Sequence, residues 1–129
     1  MTNKQERTVL VFGTFDGLDH EHVFFLHQAK TKGTRLAVGV ALDKHVRELK
    51  MKSPFHYEKH RLRKVLDQKC VDEAHLCDEE LGTYDIISKV NPDIVVMGHD
   101  QKDLEDNLKE WLISQNIYLP IFRIKKMRK

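Results

Sequence analysis

Three near-continuous apolar runs limit what this chain can fold into: "RTVLVF" (Arg7 to Phe12, followed by Gly13), "RLAVGVAL" (Arg35 to Leu42) and "PDIVVMG" (Pro92 to Gly98). A strand that is apolar on both sides must be covered on both faces, and a parallel sheet flanked by helices provides that cover. Between the first two runs, Phe24, Phe25, Gln28, Ala29 and Lys32 fall at helical spacing, which predicts a helix over Glu21 to Lys32 with Gly33 as its C-cap. A right-handed crossover then completes a βαβ unit by residue 42. The polar stretch "DKHVRELKMKSPF" reads as a long ordered loop at the carboxyl end of the second strand. Beyond it the pattern predicts a helix over Tyr57 to Gln68, a strand over Val71 to Leu76 and a helix over Thr83 to Val90. After the run ending at Gly98 it predicts a helix over Leu104 to Gln115 and a last strand over Tyr118 to Ile124. Alternating strands and helices make this an α/β chain: a single doubly wound five-stranded parallel sheet, in one domain over residues 1–129.

Composition narrows the function classes. Lys and Arg (22) nearly balance Asp and Glu (20), so no general nucleic-acid surface is expected and any basic site must be local. Cys70 and Cys77 fit neither a disulfide framework nor a zinc finger, and they read as structural thiols in a reducing, cytoplasmic setting. No apolar run approaches the ~18 residues of a membrane span, and the start "MTNKQERT" has no apolar core of a signal peptide behind it.

In doubly wound sheets the ligand lies beyond the carboxyl ends of the strands, where strand order reverses. Three segments end there: "GTFDGLDHEH", "DKHVRELKMK" and "GHDQKD". The first leads into a helix N-terminus, whose free N–H groups and dipole attract phosphate. Gly13 and Gly17 permit a tight turn, but their spacing is neither of the common glycine fingerprints. Asp19, His20, Glu21 and His22 fit three readings: an altered phosphate pocket, a solvated polar rim, or ligands for Zn, Mn or Ni. Adjacent residues at a helix start do not all reach one ion, so no metal site is assigned. Lys50 and Lys52 read equally as solvated loop charges, and Arg61 as a partner of Glu58. Phe24, Phe25 and Trp111 read as core, and His56 and His60 as exposed helix-start residues.

"VFGTFDGLDHEHVFFLHQAK" resembles the first motif of the cytidylyltransferase-like nucleotidyltransferases, of the glycerol-3-phosphate cytidylyltransferase and archaeal FMN adenylyltransferase type. Their pattern is G-T-F-D, two residues, then His-x-Gly-His. The resemblance runs on through "VALDKHVRELKMKSPFHYEKHR", "VDEAHL" and "NPDIVVMGHDQ". It implies a Rossmann-like nucleotidyltransferase fold and transfer of a nucleotidyl group from CTP or ATP to glycerol 3-phosphate, FMN or a similar acceptor. Pyrophosphate leaves and Mg²⁺ accompanies the triphosphate. By the resemblance, Gly13, Thr14, Phe15, Asp19, His22 and Lys52 bind nucleotide, His22, Lys50 and Arg61 carry catalysis, and Asp16, His99 and Asp100 lie at the acceptor. A homodimer is compatible with it; nucleic acid and membrane are not implied as partners.

The sequence departs from that pattern in two places. Asp19 stands where the first motif histidine belongs and Glu21 where its glycine belongs. A carboxylate ~4 Å from a phosphate charge would oppose it by about 4 kcal/mol at an effective dielectric near 20, roughly a thousandfold in rate. On that reading Asp19→His with Glu21→Gly raises activity. The Ser/Thr-rich segment that opens the family's last helix has no counterpart after Ser114, and Lys125, Lys126, Arg128 and Lys129 are charges that would compensate or simply be solvated. The rival expectation is a nucleotide-binding or interaction module that keeps the fold without the chemistry.

Overall fold

The computed structural model describes residues 6–126. Strands β1 (Thr8–Gly13), β2 (Arg35–Val40), β3 (Glu73–Leu76), β4 (Ile94–Met97) and β5 (Ile121–Arg123) form one all-parallel sheet in the order β3-β2-β1-β4-β5. Five helices connect and cover them: α1 (His20–Lys30), α2 (Asp43–Lys50), α3 (Glu58–Leu66), α4 (Asp85–Val90) and α5 (Lys102–Ser114). The chain winds outward from β1 to β3, then returns to the other side of β1 for β4 and β5. Right-handed crossovers in opposite directions send the helices to opposite faces.

The core shows that division residue by residue. Val9, Val11, Leu36 and Val38 point to one face and meet Leu26 and Ala29 of α1 and Val65 of α3. Leu10, Phe12, Ala37 and Val95 point to the other and meet Ile86 and Ile87 of α4 and Leu108 and Leu112 of α5. Val9, Leu10 and Val11 are all fully buried, which is why the run shows no polar alternation. Each such side chain contributes about 1.5–3 kcal/mol by leaving water.

Two local expectations are corrected. Gly33 is not the C-cap of α1, which ends on Thr31 in a right-handed conformation. Glycine is required there by crowding instead, since a Cβ would sit 2.4 Å from the Arg7 carbonyl oxygen. The segment read as a loop after β2 is α2, closed by Met51 at φ 59°. Leu42 offers α2 no side-chain cap, and Glu58 supplies one from the next helix by accepting the Asp43 N–H at 2.7 Å. Arg128 and Lys129 lie outside the described residues.

Candidate active site

The ladder between β1 and β4 stops at the pair Leu10 and Val95, and beyond it the two strands splay apart. Gln101 spans the opening: its Nε2 donates to the Phe12 carbonyl at 2.8 Å and its Oε1 accepts the Gly98 N–H at 2.8 Å. Both backbone groups are thereby satisfied where strand pairing has ended. A cleft of about 790 Å³ lies at this point of reversal. The turn after β1, the first turns of α1, the far end of α2, the β3–α4 loop and the segment after β4 all contribute to its wall.

The turn after β1 is tightly built. Phe15 is buried in a left-handed conformation (φ 54°), and its ring folds back over Gly13, where a Cβ would meet ring carbons at 2.6 Å. A non-glycine residue at such φ costs about 1–2 kcal/mol, which the burial of the ring offsets. The Phe15 ring then packs in a T-shaped arrangement with the His22 imidazole, with centroids 5.6 Å apart and planes at 72°. Asp19 is the N-cap of α1: its Oδ1 accepts the His22 N–H at 3.0 Å, while its own N–H donates to His22 Nδ1 at 3.2 Å. The backbone N–H of His22 holds the Asp19 carboxyl below the usual carboxylate range.

This geometry revises the sequence reading. At the first turn of α1 the His22 N–H is already taken by the chain's own Asp19 carboxylate. Asp19 is also absent from the cleft wall, whereas Glu21 is part of it and exposed. Gly13, Thr14, Phe15, His22, Lys50, His99 and Asp100 are brought together around the cleft. Asp16, Lys52 and Arg61 are not. The Asp16 carboxylate accepts the N–H groups of Phe55 and His56 at 2.7 and 3.0 Å. Arg61 is 1% exposed and donates to His56 O at 3.0 Å, Thr14 O at 2.8 Å and Asp43 Oδ1 at 2.7 Å. Its ion-pair partner is thus Asp43, not Glu58, and together with Asp16 it latches the turn after β1 to the α2–α3 segment. Lys52 lies exposed beyond the end of α2.

Phe24 and Phe25 pack on the core but also form part of the cleft wall, and Trp111 packs against Tyr84 at 5.3 Å. His56 and His60 are exposed, with rings 4.7 Å apart. Among the described residues no three His, Cys, Asp or Glu side chains converge to hold a metal ion. Sequence reasoning missed His45, which is buried in the wall with Nε2 3.0 Å from the Glu79 carbonyl oxygen, and it missed the whole β3–α4 loop. That loop follows the carboxyl end of a strand, so the rule applied to β1, β2 and β4 would have found it. Cys77 within it is inert at neutral pH, its thiol pushed up to about 12 by burial and by the charge of Asp78. Lys125 also reaches the wall.

A sequence model of the family described as cytidylyltransferase-like matches residues 10–127. This chain is a member of that family. Similar proteins of the cytidylyltransferase-like chain include the FAD synthase of Thermococcus sibiricus, 39% identical over 126 residues, which span 96% of this chain and 84% of that protein. The FAD synthase of Archaeoglobus fulgidus is 41% identical over 113 residues, 88% of this chain and 80% of that protein. Among solved structures, the lipopolysaccharide core biosynthesis protein of Thermoplasma volcanium superimposes with a TM-score of 0.87 at 33% identity, over 96% of this chain and all of that one. The pantoate-beta-alanine ligase of Francisella tularensis, with a TM-score of 0.62 at 12% identity over 99% of this chain and 62% of that one, shares the fold. The Rossmann-like architecture of this cytidylyltransferase-like chain is therefore shared with both of these solved structures.

Proposed function

We propose that this chain is a nucleotidyltransferase that moves an adenylyl group from ATP to FMN. An FMN phosphate oxygen attacks the α-phosphorus, the bond to the β-phosphate breaks, and pyrophosphate leaves. The observation that carries this reading is the cleft itself. It gathers Thr14, His22, Lys50, His99 and Asp100 at the reversal point of the sheet, in a chain 39% and 41% identical to two proteins named FAD synthase. No side chain is needed as a nucleophile; the work is positioning and stabilisation of charge at the phosphates. With the His22 N–H taken by Asp19, the donors in the cleft wall that suit phosphate include the Thr14 hydroxyl, the His22 imidazole and the ammonium groups of Lys50 and Lys125. Among the described residues, five carboxylates (Glu21, Asp78, Glu80, Asp100 and Asp103) line the same cleft against the two lysines. A bare triphosphate is repelled by such a wall, so Mg²⁺ would enter with it as its counter-ion.

A second reading, a nucleotide-binding or interaction module without transfer, has one observation in its favour: Asp19 and Glu21 put carboxylates on and beside the turn that would seat phosphate. Incubation with ATP, FMN and Mg²⁺, followed by FAD fluorescence and pyrophosphate release, separates the two, with CTP and glycerol 3-phosphate as the competing pair. FAD formed at a rate that His22→Ala lowers about a hundredfold supports transfer. Calorimetric binding of ATP with no product from either pair supports the module and rejects transfer.

A further inference from the structure

We infer that Asp19 is a positioning residue for His22: it keeps a proton on His22 Nε2, so that the imidazole faces the cleft as a hydrogen-bond donor. This inference rests on the nucleotidyl-transfer reading for its purpose, but not for its geometry. In the neutral ring, Nδ1 accepts the Asp19 backbone N–H at 3.2 Å, and an acceptor at Nδ1 leaves the single ring proton on Nε2. In the charged ring, Nδ1 carries a proton too, and the Asp19 Oδ1 already stands 3.3 Å away to receive it. Nε2 therefore keeps its proton in both states. The ring cannot easily turn over, because the Phe15 ring packs against it and the Asp19 carboxylate pins the backbone it hangs from through the 3.0 Å bond to the His22 N–H.

The arrangement explains how an acidic residue is tolerated one turn before a histidine that must meet phosphate. The carboxylate spends its charge on the start of α1 and on the far nitrogen of the ring, outside the cleft wall. A donor aimed at a phosphate oxygen is useful only if it never presents a lone pair instead, and the Asp19 backbone and side chain together enforce that. Asp19 thus does indirectly what a phosphate-binding side chain at the same place would do directly.

Two measurements test this. Long-range ¹H–¹⁵N correlation of the His22 ring in the wild-type protein at neutral pH should show an unprotonated Nδ1 and a protonated Nε2; the opposite tautomer overturns the proposal whatever the enzyme's activity. Asp19→Ala, which removes the carboxylate, should lower kcat about tenfold with KM nearly unchanged and mix the two tautomers, while Asp19→Asn, which still caps the helix, should restore both. If Asp19→Ala keeps the wild-type tautomer and kcat, Asp19 is only a cap; if Asp19→Asn keeps the cap but fails to rescue, the charge of the carboxylate and not its hold on His22 sets the activity, and the proposal is overturned. If no FAD forms in the wild type while the ring shows the expected tautomer, it is the functional reading that fails and the positioning geometry that stands.

Discussion

Gln101 makes two hydrogen bonds across the opening between β1 and β4, to the Phe12 carbonyl and the Gly98 N–H. Gln101→Leu leaves both backbone groups at the mouth of the cleft without a partner, at a cost of about 1–3 kcal/mol each, less whatever water recovers. A urea titration should show a lower midpoint with an unchanged slope. Glu105 governs a different property. The Lys109 ammonium and then the Arg123 guanidinium hold its carboxyl below the usual glutamate range against the opposing effect of burial. Its folded-state affinity for a proton is therefore weaker than in the unfolded chain. The stabilisation is complete above the ordinary glutamate value and is lost as pH falls through the lower, folded one. Thermal melts between pH 6 and 3 should show Tm falling at the acid end, and Glu105→Gln should lower Tm at pH 6 while flattening that fall.

At the scale of elements, α2 depends on parts supplied by others. Its amino end is capped by Glu58 of α3, and its Asp43 is held by the buried Arg61 guanidinium, which also grips the Thr14 and His56 carbonyls. Arg61→Ala strands a largely buried carboxylate and two carbonyls, so we expect a loss of about 3–5 kcal/mol, near the low end where water reaches Asp43. Lys50, carried on the last turn of α2, should then lose its place in the cleft, and ATP affinity should fall in calorimetry although Arg61 itself never touches the wall. The same dependence explains what could be read in advance. β1, β2 and β4 were legible because burial on both faces leaves an uninterrupted apolar run, and the turn after β1 and "GHD" after β4 followed from the rule about strand ends. The helix α2 was not legible, since it buries only His45 and Val46 and receives its cap from fifteen residues away. Arg61 and Asp16 were recognisable as charged groups near the site, but the direction in which each points is set by backbone partners brought close only by the fold. Asp19 was legible as a departure from the family pattern, while its role as a cap required the reciprocal bonds to His22 to be seen.

In the molecule as a whole, the order of strands in space divides the chain in sequence. Residues 8–76 build β1, β2 and β3 with α1 and α3, and residues 85–123 build everything on the far side of the opening. Between them runs the β3–α4 loop with Leu81 and Gly82, both exposed, the glycine at φ +87° with nothing near its missing Cβ. Only Val9 with Ile94 and Leu10 with Val95 pair the two portions in the sheet, although Leu10, Phe12 and Ala37 share an apolar layer with α4 and α5. A single proteolytic nick at Leu81–Gly82 should accordingly yield two fragments that co-elute at high concentration and separate on dilution. Any compound that touches Thr14 and His22 on one fragment and His99 on the other must shift that equilibrium toward the pair. The midline of the sheet is thus also the seam of a two-piece molecule, and whatever settles into it acts as the clasp.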